Sequence, residues 1–197
     1  MVGAIGVATF VLVVVVMTAV HWSFLRERGW DLIKASDIPF PSILALSPTG
    51  WVQILNFAIL GISLLAVAAG LWRTVDPRPT LAILLLGAAG LAGFALMAPT
   101  DGTVTTMRTT AGAVHLVAFI GLLVCTVLAV LLFGLAVGSN PDWAPIAGVS
   151  VGAAVVVVVL TIISFVVEPI GGLASVLSIL VMLGWLELVA IRLATST

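Results

Sequence analysis

Six uninterrupted apolar runs divide the chain, at about 2–22, 51–72, 80–98, 110–137, 145–167 and 172–193, each bounded by the charges, prolines or glycines that punctuate helices. About 20 helical residues cross a hydrocarbon core of roughly 30 Å. Membrane strands would instead show segments of about ten residues with alternating polarity, which these runs do not. The pattern predicts an all-α integral membrane bundle of six transmembrane helices, forming a single membrane domain over residues 1–197.

The connections are unequal in length. Three are short and carry a proline, "RTVDPRP", "GSNPDW" and "EPIGG", so they predict antiparallel neighbours. Two have room for structure, Ser23 to Gly50 and Pro99 to Thr109, and loops of that length in a compact domain are more often functional than idle. Six crossings put the connections after runs one, three and five on one face. That face collects Arg26, Glu27, Arg28, Asp31, Lys34, Asp37, Asp101, Arg108 and Glu168, with His21 and His115 close by. The other has Arg73, Asp76, Arg78, Asp142 and Arg192. Polar chemistry is thus one-sided. Counting Lys and Arg does not orient the chain, since the two faces tie once the amino terminus is included.

Composition agrees with the pattern: 62% of residues are hydrophobic and 8% charged, with a mean hydropathy of +1.38. A net charge of -1 from seven scattered Lys and Arg makes no basic patch, so no nucleic acid partner is expected. One cysteine, Cys125, allows neither an intrachain disulfide nor a Cys-x-x-Cys pair. The first run, "VGAIGVATFVLVVVVMTAV", lacks a basic flank and a cleavage site and reads as a retained helix. The tryptophans mostly fall near run ends, the place for indoles in the headgroup layer.

Several polar positions are candidates for chemistry. Asp101, between Pro99 and Gly102, suits a turn carboxylate, and Arg108 sits where a cation opposes the dipole of the fourth helix unless an anion such as Asp101 is near. His115 lies a turn or two into that helix. It can anchor the loop through Asp101 or a backbone carbonyl, or handle a ligand, proton or metal. Glu168 stands at the membrane edge on the same face. Gln53 and Asn56, with Leu60 and Ser63, form a seam on the second helix that either bonds to a neighbour or lines a cavity. Glu187, deep in the last run, either snorkels or meets a polar partner. Gly87, Gly90 and Gly93, and Gly148 with Gly152, offer close-packing surfaces that also permit a homo-oligomer.

Metalloprotease, nucleophile-elbow and phosphate-loop motifs are missing. The weak metal or haem option uses His21 and His115 as ligands; no metal and no cofactor is expected.

The stretches "LSPTGWVQILNFAILGISLLAVAAGL", "GAAGLAGFALMAPTD" and "AGAVHLVAF" resemble, in order and content, the small bacterial membrane proteins grouped as domain of unknown function 998 (DUF998). The resemblance implies a six-helix bundle with a Pro-Thr-Asp turn at Pro99–Asp101, a histidine at His115 and a second-helix pattern at Asn56, Phe57 and Gly61. It also implies a multi-pass protein of the bacterial cytoplasmic membrane with both termini cytoplasmic. The family's Glu-Arg pair entering the last helix is replaced here by Ser175 and Val176, which leaves open any role that needs it.

The expected function is non-enzymatic: a polar mouth at Asp101, Arg108, His115 and Glu168 that binds a lipid, an amphiphile or a partner membrane protein, with the Ser23–Gly50 segment as a lid. The alternatives are a proton-coupled transporter or channel, and a membrane enzyme that uses a His–Asp pair, a metal or a haem.

Overall fold

The computed structural model describes residues 2–103 and 108–195. Among these the chain forms α1 (Val2–Val20), α2 (Trp22–Glu27), α3 (Trp51–Thr74), α4 (Thr80–Ala95), α5 (Thr110–Val137), α6 (Ala144–Val166) and α7 (Gly171–Thr195), with 3-10 turns at Ser42–Leu46 and Glu168–Ile170. No strand occurs among the described residues. In hydrocarbon no water can take up the backbone's polar groups, so an apolar run must satisfy them internally, as helices do.

Five of these helices, α1, α3, α5, α6 and α7, are long and apolar enough to cross a membrane. The third apolar run folds as α4, of 16 residues, about 24 Å at 1.5 Å per residue. Six full-length spans are therefore not what helix length delivers. The run is shortened because Met97 and Ala98 turn back onto the carbonyls of Phe94 and Ala95 at 3.0 and 3.1 Å, ending the α-helical ladder at Ala95. The first run is also split, with a break at His21 between α1 and α2.

Long helices pack on their chain neighbours, α3 on α1, α4 on α3, α5 on α4, α6 on α5 and α7 on α6, and α7 returns to α1 and α3. Phe57, Leu64, Leu86, Phe133 and Leu186 fill the interior, while Val15, Leu128 and Phe165 stand exposed on the outside. An apolar exterior around an equally apolar core is the pattern of a chain dissolved in lipid. The tryptophans divide: Trp22, Trp51 and Trp72 are exposed, whereas Trp30, Trp143 and Trp185 are buried. Trp185 donates its indole N–H to Ser150 Oγ at 2.8 Å and meets Phe133 edge-on, so it belongs to the core rather than the headgroup layer.

Residues 23–50 fold into a cap with its own small core of Leu25, Trp30, Ile43 and Leu44 against Met17 of α1. Asp31 organises its turn, accepting from Arg26 at 2.7 Å and from the N–H groups of Ile33 and Lys34. The Arg26 hydrogen bond, joined by those two N–H groups, holds the Asp31 carboxyl well below the usual range. Two backbone bonds fasten the cap to the α6–α7 corner, Ala35 N–H to Glu168 O at 2.8 Å and Leu173 N–H to Ile33 O at 3.1 Å.

Candidate functional site

The loop after α4 is closed by one carboxylate. Asp101 Oδ2 accepts from the backbone N–H groups of Arg108 and Thr109 at 2.7 and 3.1 Å, and Oδ1 accepts from the Thr109 hydroxyl at 2.6 Å. Thr109 in turn caps α5, accepting from Gly112 N–H at 2.9 Å. A side chain on Gly112 would collide with the Asp101 carboxylate, so glycine there makes room for it. The anion therefore sits at the helix N-terminus, where the dipole favours it. The Thr109 hydroxyl bond, with help from the two N–H groups, lowers the Asp101 pKa.

A depressed carboxylate contributes stability that is complete above its unfolded pKa and is lost as pH falls through the folded value. The thermal midpoint of the solubilised protein should exceed that of Asp101→Asn at neutral pH. The gap should close on acidification below about pH 3.9, the ordinary aspartate value. A gap that stays constant with pH would mean that the charge of Asp101 does not hold the cap.

His115 ties together three distant segments. Its Nδ1 lies 2.6 Å from Ala98 O, just beyond α4, and its Nε2 lies 2.8 Å from Ser42 Oγ, in the cap. A carbonyl can only accept, so Nδ1 carries the proton, and in the neutral ring Nε2 accepts from the Ser42 hydroxyl. Phe57 of α3 meets the imidazole edge-on at 5.8 Å. The carbonyl of Ala98 is free for this bond because the chain has already left the α-helical ladder.

Above His115 lies a cavity of about 360 Å³, bounded by the cap, the α4–α5 loop, the first turns of α5, and the α6–α7 corner. Asp101, His115 and Glu168 all reach its wall, joined by Asp31, Asp37 and the hydroxyl residues Ser36, Ser164 and Ser175. The three odd-numbered connections of the sequence pattern thus converge on one space. Arg108 does not join them: its backbone engages Asp101, but the residue is exposed and is absent from the cavity wall. Ser175 and Val176, where the resemblance leads one to look for a Glu-Arg pair, both face the cavity.

Gln53 and Asn56 lie elsewhere. Asn56 donates to Phe10 O of α1 at 3.1 Å and to Gln53 Oε1 at 3.4 Å, so the seam is buried between α3 and α1. His21 shares a hydrogen bond of 2.7 Å with Thr49. Each histidine is therefore engaged with its own partners, and no group of three His, Cys, Asp or Glu residues suited to a metal occurs among the described residues. Glu187 is half-buried on α7, away from the cavity, with one carboxylate oxygen covered and without a hydrogen-bond partner among the described residues.

The residues missed by the sequence pattern are those of the cap. Trp30, Phe40 and Ser42 had no motif, and only the unusual length of the connection pointed to them.

The family model described as "Protein of unknown function (DUF998)" matches residues 4–192. No curated protein and no solved structure matches the chain.

Proposed function

The chain belongs to that family, and we propose that it is a non-enzymatic binder that receives a lipid or other amphiphile in the capped polar cavity on one face of a six-span membrane bundle. The observation that carries this reading is the cavity itself, about 360 Å³ lined by Asp101, His115 and Glu168, a volume within the range of roughly 300–1,000 Å³ common to small-molecule sites. The groups that would have to do chemistry are already engaged. Asp101 holds a helix cap and His115 holds two segments together, which suits a scaffold around a bound molecule better than an acid–base pair.

Chain tracing supports a sixth crossing by α4. Ser42, before α3, and Thr100, after α4, border the same cavity. A chain that crosses on α3 and comes back to that cavity must recross on α4, short as it is. Both termini then lie on the face opposite the cavity. With the termini cytoplasmic, in a bacterial cytoplasmic membrane, the cavity opens outward.

Native mass spectrometry of the full chain released from mild detergent tests this. A bound amphiphile is expected on the wild type and should fall about ten-fold in Ser175→Trp, which fills the cavity wall, a loss of about 1.4 kcal/mol in binding. Equal retention by both would refute the site. Proton flux across liposomes that disappears in His115→Ala, with no bound amphiphile, would favour the transport reading instead.

A further inference from the structure

The polar cavity adjoins a second space. Trp30, Phe40 and Val176 belong to its wall and equally to that of a groove of about 360 Å³ between α1 and α7. The two spaces differ in chemistry. The groove is lined by residues such as Phe10, Val14, Ile179 and Leu183, and its one hydroxyl, on Thr18, is spent on Val14 O at 2.7 Å. Where they meet, Trp30 and Phe40 stack at 4.7 Å between ring centroids.

Charge distinguishes the polar side further. Four carboxylates border it, and no Lys or Arg does so among the described residues. Asp31 is paired with Arg26, and Asp101 is taken up by the α5 cap. Asp37 and Glu168 are exposed at the cavity wall and have no side-chain partner among the described residues, which leaves two carboxylates open to a ligand.

We propose that cavity and groove are the head and tail halves of one site for a membrane amphiphile with a cationic, ammonium-type head group. This rests on the reading of the cavity as a binding site and adds the ligand's class and its pose. The ammonium donates to Asp37 and Glu168, and the alkyl chain passes the Trp30–Phe40 stack to lie between α1 and α7. The groove must admit the tail for any head group to be seated, and the head group sets preference among chains.

The test uses the full chain in neutral detergent micelles doped with equal amounts of hexadecylamine, hexadecanol and hexadecyl phosphate, with native mass spectrometry counting the bound species. The amine should exceed the other two by about ten-fold, the scale of one charged hydrogen bond. Asp37→Asn with Glu168→Gln should erase that preference, and Val15→Trp, at the lipid-exposed edge of the groove, should reduce all three alike. Unchanged thermal midpoints show that the variants fold. Alcohol or phosphate binding as strong as the amine overturns the head-group assignment and leaves the cavity reading standing. Binding indifferent to Val15→Trp overturns the pose. Retention of none of the three overturns this inference, and the cavity reading falls with it only if the wild type also carries no native amphiphile.

Discussion

Gly93→Leu should destabilise the protein by about 3 kcal/mol or more, while Gly87→Leu, six residues earlier on the same helix, should leave it nearly unchanged. A Cβ on Gly93 would lie 2.9 Å from Gly61 Cα and 3.0 Å from Gly61 N. Those atoms are backbone of α3 and cannot rotate aside. Gly61 is held as closely in return, with Gly90 O at 2.9 Å from where its own Cβ would be. Gly87 has nothing within 4 Å of that position, so a side chain there enters the surroundings freely. Both substitutions raise helix propensity by a similar amount, which cancels in the comparison. The effect should also spread, because the Ala98 carbonyl that holds His115 follows directly on α4. Thermal unfolding of the solubilised variants decides it. Equal midpoints would show that the α3–α4 approach does not constrain packing.

Gly172→Ala is the second large effect, and it should act locally by pushing the cap away from α7. The added Cβ would lie 2.5 Å from both Asp31 O and Lys34 O, carbonyls of a turn pinned from within by Asp31 and from outside by the Leu173 N–H to Ile33 O bond. The strain of such overpacking is about 1–3 kcal/mol, comparable to the few bonds that fasten the cap. The expected result is faster amide exchange over residues 31–36 and new tryptic cleavage after Lys34, with exchange in α3 and α5 unaltered. Exchange and cleavage identical to wild type would show that the cap does not depend on this contact.

These two glycines show where sequence legibility stopped. Gly87, Gly90, Gly93, Gly148 and Gly152 look alike in the chain, as small residues on apolar helices. Only Gly90 and Gly93 among them touch another helix; the other three face open space. The difference is one of helix rotation, which an all-round apolar helix does not encode. Asp101 was more legible. A Pro-Thr-Asp-Gly turn followed by Thr109 at the start of an apolar run states locally that a carboxylate and a hydroxyl are available for turn and cap bonds. Its partners are within eight residues. For His115 the bond to a backbone carbonyl of the loop was legible and falls on Ala98, but its second partner was not, because Ser42 is 73 residues away and in a connection without periodicity. The Gln53–Asn56 seam was visible as a polar stripe, but whether it faced a cavity or α1 depended on how α3 is turned.

The sequence by itself determined the class of the protein and its apolar helices, because hydrocarbon leaves an unpaired backbone no other solution than the helix. The tertiary structure decided what those helices enclose. In lipid there is no hydrophobic force to choose which apolar face turns inward, so helix rotation is set by close approach at a few glycines and by single long-range hydrogen bonds. Those contacts depend on distances of a few tenths of an ångström between residues far apart in the chain, and for that reason the cavity, its cap and the groove beside it became visible only in three dimensions.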